Sequence, residues 1–231
     1  WIGNIKGGIW QNVTLSLEPE LRIAKIFITP SLAMGGIEAD YTILNHTGKS
    51  WSGTLDGIVT DAMKESANAV AGSVSGRLSL KPGVNTGRIS LKINNPQKWS
   101  VERPYLYFLT LALHGGKGEA VSAASARFGY REFHTKNGRF YLNGEEIYLF
   151  GENIPSCNYG GFNRTAEAEE KSLTDFILGC RNLGYVILRT AHMPIVPVAL
   201  EIADECGMMI FNEWAWSFTT HLDVPEFEKH N

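Results

Sequence analysis

The chain has 231 residues, 44% of them hydrophobic, enough for one large domain or two ordinary ones with real cores. Its 21 basic and 24 acidic residues leave a formal net charge of −3 with no Lys/Arg cluster, so neither nucleic acid nor an anionic membrane surface is indicated as a partner. The longest apolar runs are strand-sized and broken by glycine or charge, which argues against a bilayer span and for a soluble chain.

The opening "WIGNIKGGIW" has neither an initiator Met nor the basic-then-apolar pattern of a signal peptide, so the start reads as a cut. From residue 9 to about 128 the chain shows short alternating runs: "IWQNVTLSL", "RIAKIFITP", "IEADYTILN", "SGTLDGIVT", "GRLSLKPG", "GRISLKI" and "LYFLTLAL". Period-two alternation bounded by Asn-His-Thr-Gly, Lys-Pro-Gly and His-Gly-Gly predicts antiparallel strands. The first run reads as the last strand of an earlier domain over 1–18. The others predict an immunoglobulin-like β-sandwich over 19–131, without the Cys-Trp-Cys signature of antibody domains.

Beyond it, "RFYLNGEEIYLFGEN" predicts a hairpin turning at Asn143-Gly144. "AEAEEKSLTDFILGCRNLG" predicts a helix with Leu173, Phe176, Ile177, Cys180 and Leu183 on one face and Gly184 at its C-terminal end. "YVILRT" reads as an apolar strand, "PIVPVALEIADECG" as a second helix stopped by Gly207, and "MMIFNEW" as a third strand. Apolar strands alternating with helices imply parallel strands joined by helical crossovers over 132–231.

In such architectures ligands gather outside the carboxyl ends of the strands. Asn153 is expected to follow the first parallel strand, Arg189 and His192 the second, and Glu213, Trp214 and Trp216 the third. An amide, a guanidinium, an imidazole, a carboxylate and indole rings suit a polyhydroxylated ligand, with hydroxyls held by polar groups and a sugar face stacked on Trp. Structural alternatives stand beside this. Arg189 could pair with Glu213 simply to tie two strand ends, His192 could cap the following helix, and Asp204 and Glu205 read as a pair near a helix end. Trp10, Trp51 and Trp99 fall in the β region, where core packing or a domain contact is the default. Cys157, Cys180 and Cys206 lack metal-site spacing and read as buried thiols, and Ser156 lacks the context of an acyl-transfer nucleophile. Asn12, Asn45 and Asn163 begin sequons at a frequency near chance. No HxxxH or HExxH spacing supports a metal at His192 and Glu213.

Longer motifs carry a resemblance. "GGIWQNVTLSL", "WSVERPYLYFLTLAL", "FGYREFHTKNGRFYLNGEEIYLFGEN" and "GYVILRTAHMP…ADECGMMIFNE" resemble, in this order, successive segments of glycoside hydrolase family 2. That group contains β-galactosidases, β-glucuronidases and β-mannosidases. The resemblance implies the end of a jelly-roll sugar-binding domain, then the immunoglobulin-like domain, then the first part of a (β/α)8 TIM barrel. It implies further that Asn153, Arg189 and His192 line the subsite of the sugar whose bond is cut, and that Glu213 belongs to the pocket wall; Trp214 is a substrate-binding candidate from its place after the third strand. Two departures touch sugar specificity: Pro155 stands where a His is common, and Val186 where an Asn is usual.

Retaining glycosidases need two carboxyl groups about 5–5.5 Å apart. The resemblance places both beyond Asn231, because Asn212-Glu213 aligns with an earlier strand than the family's catalytic Asn-Glu. The expectation is therefore a segment of a retaining exo-glycosidase, itself inactive, with an open-edged and marginal barrel portion. The expected partner is a carbohydrate. No cofactor is expected in this chain, although the parent could hold a divalent cation, and a secreted or periplasmic location is favoured over a cytoplasmic one. The alternative is a non-catalytic carbohydrate-binding or adhesion module.

Overall fold

The structure, a computed structural model, describes residues 13–62, 70–155, 166–191 and 195–213. It is mostly β, with two helices among the described residues. Within that set, residues 13–19 pair with no strand, and Val13, Leu15 and Leu17 are exposed.

The first seven strands are β1 (Leu21–Ser31), β2 (Gly36–Asn45), β3 (Trp51–Asp61), β4 (Val70–Leu80), β5 (Gly83–Lys92), β6 (Leu106–His114) and β7 (Ala120–Gly129). They form two antiparallel sheets, ordered β1-β2-β5 and β4-β3-β6-β7. Alternation decides which side chains meet between them. Ile37, Ala39, Tyr41 and Ile43 of β2 point inward, as do Leu109, Leu111 and Leu113 of β6, while Glu38 and Asp40 pair with Arg88 on the outer face. Each fully buried Leu or Ile contributes about 1.5–3 kcal/mol over exposure, so this shared core holds the sheets together. Ser122 Oγ accepts from the Ile23 amide at 3.2 Å and Tyr130 donates to Ser31 O at 2.8 Å, joining β1 to the β7 edge.

The run that forms β7 carries no strand signal of the kind seen in β1 to β6. Its "AVSAASARFG" is dominated by Ala and Ser, which lack the bulk and branching that mark a strand. Asn45, the sequon residue in this region, is buried at 1% exposure. Its amide donates to the carbonyls of Lys49 and Lys81 and its oxygen accepts from Thr47, so it serves as a turn anchor and not as a glycan acceptor.

A meander follows: β8 (Phe133–Lys136), β9 (Arg139–Leu142) and β10 (Glu145–Ile147). The expected hairpin thus supplies two strands of a three-stranded sheet. Asn143-Gly144 turns it with φ of 56° and 86°, and Asn137-Gly138 makes a second turn of the same kind, with φ of 51° and 72°. Two successive positive φ values define the type I′ hairpin turn, which Asn-Gly adopts at least cost.

The last unit is a parallel sheet, order β11-β12-β13, made of β11 (Gly151–Pro155), β12 (Ile187–Ala191) and β13 (Met209–Phe211). Helices α1 (Ala166–Asn182) and α2 (Pro197–Cys206) are the crossovers. Ile154 and Leu188 pack with Leu173, Ile177, Cys180, Ala199 and Ile202 on the helical side of the sheet. Of the expected α1 face, Phe176 and Leu183 are exposed, at 43% and 70%. A helix lying on so small a sheet buries a narrower stripe than its apolar periodicity offers, and Leu183 falls past the helix end. Gly184 and Gly207 both take positive φ after their helices, as expected, and Gly207 is the left-handed cap of α2.

Candidate functional site

The parallel register puts Asn153, Arg189 and Phe211 side by side across three strands. Asn153 therefore lies within β11 and Arg189 within β12, where the sequence suggested positions just after strand ends; only Glu213 follows its strand. The shift arises because β11 and β12 run on to Pro155 and Ala191, past the apolar runs that signal them. Both residues line a cavity of 910 Å³, together with Glu152, Ile187, Met209 and Phe211 of the sheet and Leu200, Ala203 and Asp204 of α2. Phe133 and Phe140 of the meander, stacked with centroids 5.9 Å apart, lie at the same cavity.

Arg189 is the centre of the polar row. It donates to Asn153 Oδ1 at 3.0 Å and pairs with the Glu213 carboxylate on its other side. The pairing foreseen as a structural alternative therefore exists, and it fixes a half-exposed guanidinium at the cavity rim. A planar cation held in this way keeps its fork oriented, which suits recognition of hydroxyl or carboxylate oxygens. His192, Trp214 and Trp216 lie outside the described residues, as do Trp10, Asn12, Ser156, Cys157 and Asn163.

Sequence reasoning passed over Thr190. Its hydroxyl, on a residue exposed by only 1%, accepts from the Glu213 amide at 2.8 Å and lies 3.3 Å from Asn212 Oδ1. Asn212 Oδ1 in turn accepts from the Ile195 amide at 2.9 Å. Thr190 and Asn212 thus set the backbone from which Glu213 reaches Arg189. The available signal was a lone hydroxyl residue inside the apolar run "YVILRT". Among the described residues no group of three or more His, Cys, Asp or Glu could hold a metal ion, and no helix is long and apolar enough to cross a membrane.

The chain thus combines an antiparallel two-sheet unit with parallel strands whose polar row faces a cavity. Residues 21–131 match the family model of glycosyl hydrolases family 2. A β-galactosidase of Alteromonas mediterranea is 27% identical over 89% of this chain and 20% of its own length. A β-galactosidase of Priestia megaterium is 28% identical over 89% of this chain and 20% of its own length. The fold of a family 2 glycosyl hydrolase from Bacteroides cellulosilyticus superposes with a TM-score of 0.75 at 21% identity, over 91% of this chain and 28% of that one. Residues 21–131 thus resemble this family, and the chain is similar to that family's enzymes. It spans about a fifth of the length of these curated relatives.

Proposed function

We propose that this chain is part of a retaining exo-glycosidase acting on β-linked sugars, of β-galactosidase, β-glucuronidase or β-mannosidase type. In this reading residues 1–18 end a jelly-roll domain, 19–131 form an immunoglobulin-like sandwich, and 132–231 begin a (β/α)8 barrel. The split of seven strands into β1-β2-β5 and β4-β3-β6-β7 supports the sandwich assignment, and the β11-α1-β12-α2-β13 order supports the barrel. The observation that carries the function is the Asn153–Arg189–Glu213 row on the cavity side of the parallel sheet. Asn153, Arg189, His192, Glu213 and Trp214 would hold the sugar whose bond is cleaved.

Glu213 is engaged by Arg189, an arrangement that serves positioning rather than proton transfer. The acid/base and nucleophile pair then belongs to chain beyond Asn231, and residues 1–231 alone do not turn over an aryl glycoside. The relatives named as β-galactosidases support the substrate class, and the excess of relatives' length over this chain supports the placement of the missing pair. The test is the reading frame past the codon for Asn231. Continuation into an Asn-Glu dipeptide and a further downstream glutamate is expected. An immediate stop codon overturns the reading and leaves sugar binding without cleavage.

A further inference from the structure

Helix α2 ends against its own dipole. Its last turn carries no basic residue and instead holds Asp204 and Glu205, where the exposed carbonyls already concentrate negative charge. A helix read alone would be weakened by this arrangement. The compensation comes from the antiparallel unit. Trp99 Nε1 donates to the Asp204 carbonyl oxygen at 2.8 Å, satisfying an acceptor left over at the helix end. Arg127, on β7, donates to the Glu201 carbonyl oxygen at 3.0 Å and pairs with the Glu205 carboxylate. Arg131 lies over the Trp99 ring, 4.5 Å from its centroid, with its guanidinium 3.6 Å from the Asp204 carboxylate.

The rest of the joint holds these groups still. Trp99 is exposed by 1%, its carbonyl accepts from the Asn143 amide at 2.9 Å, and the Asn143 oxygen accepts from the Glu132 backbone at 3.1 Å. Arg181, at the end of α1, donates to the Val101 carbonyl at 2.7 Å, and Gly207 sits against the same carbonyl. Beyond Gly207 the chain enters β13 and then Glu213 within a few residues, so the α2 terminus governs where the Glu213 carboxylate meets Arg189.

We propose that Trp99, Arg127 and Arg131 form a C-terminal cap supplied to α2 by the antiparallel unit, which makes that unit the positioning element for β13 and the Glu213 end of the site. The cap acts on backbone carbonyls and on the helix dipole; the side-chain ion pairs are secondary to it. It holds whether or not the parent protein cleaves glycosides, because its readout is local protection and not turnover.

The experiment is amide hydrogen exchange on the whole 231-residue chain. Trp99→Phe, which keeps a ring and removes the indole donor, is expected to speed exchange in residues 203–211 about ten-fold, with β2 and β6 unchanged. Arg131→Gln, which removes an ion pair and a ring contact but no carbonyl donor, is expected to have a smaller effect, and Arg127→Gln, which removes a carbonyl donor, about a ten-fold one. In that background Glu205→Lys, which places a cation on the helix's own last turn, is expected to restore protection. Uniform acceleration in both units, no acceleration at 203–211, or failure of Glu205→Lys to rescue would each overturn the proposal. If Trp99→Phe fails to fold, the two arginine variants and the rescue decide the matter, since both arginines retain solvent contact.

Discussion

Asp204 separates a backbone cap from an ion pair. Burial pushes its carboxyl above the ordinary aspartate value, Arg131 and Arg127 draw it back, and Glu205 and Glu201 push it up again, with the net shift upward. A folded value above the unfolded one means that the folded state disfavours the charge. The carboxyl therefore costs nothing below the unfolded value of about 3.9 and costs progressively more as pH rises through the folded value. Asp204→Asn keeps the carbonyl that Trp99 uses and removes the charge. Thermal melts are expected to give the Asp204→Asn variant a Tm at or above the parent's at pH 7, with the two converging below about pH 4. A lower Tm at pH 7 would show that the Arg131 pair, and not the carbonyl, holds the joint. Thr190 makes the complementary case, because its buried hydroxyl serves the Glu213 amide directly. Thr190→Val leaves that amide without its partner, while Asn212 Oδ1 keeps the Ile195 amide, and is expected to cost about 1–3 kcal/mol in denaturant unfolding.

At the scale of elements, turns show what glycine contributes. Gly138 and Gly207 share a φ of 72°, so alanine at either meets the same left-handed strain. A Cβ on Gly138 would reach open space, whereas one on Gly207 would come 2.3 Å from the Val101 carbonyl oxygen. Gly138→Ala is expected to cost about 1 kcal/mol, and Gly207→Ala at least about 2 kcal/mol because the joint must also part. Equal losses in urea unfolding would mean that α2 does not press on the Val101 segment. The same elements show what a sequence discloses. Strands β1 to β6 were legible because their buried faces alternate with polar residues, as in "LYFLTLAL", and both helix ends were legible from Gly184 and Gly207. β7 was not, since Ala and Ser carry little strand signal, and the Asn137-Gly138 turn went unread although it matches the one at Asn143-Gly144. The Asn153, Arg189 and Glu213 grouping was legible from its strand context. Its register was not, because pairing in a parallel sheet is set between segments far apart in the chain. Nor did Asp204 and Glu205 announce their partners, which lie about 75 residues or more upstream.

The whole molecule joins two units of unequal completeness. The antiparallel core draws all its residues from Leu21 to Tyr130 and is closed between two sheets. The parallel unit buries one face of its sheet under α1 and α2, while Asn153, Arg189 and Phe211 line the cavity, with Phe211 56% exposed. Among the described residues β11 and β13 each have a strand on one side only. Apolar burial stabilises at roughly 25 cal/mol per Å², and the short strands β11 (Gly151–Pro155) and β13 (Met209–Phe211) bury fewer apolar side chains than β2 (Gly36–Asn45) or β3 (Trp51–Asp61). Opening should therefore be easier in the parallel unit. Amides of β2, β3 and β6 are expected to exchange at the rate of global unfolding, and those of β11 and β13 at least about ten times faster. Equal protection would mean that the joint at Trp99 transmits the sandwich's full stability to the parallel sheet. If further chain covers the cavity face, as the barrel reading requires, a longer form of the same polypeptide should slow β11 and β13 while leaving β2 and β6 unchanged. The sandwich core is already full, and only the open sheet face has surface left to bury.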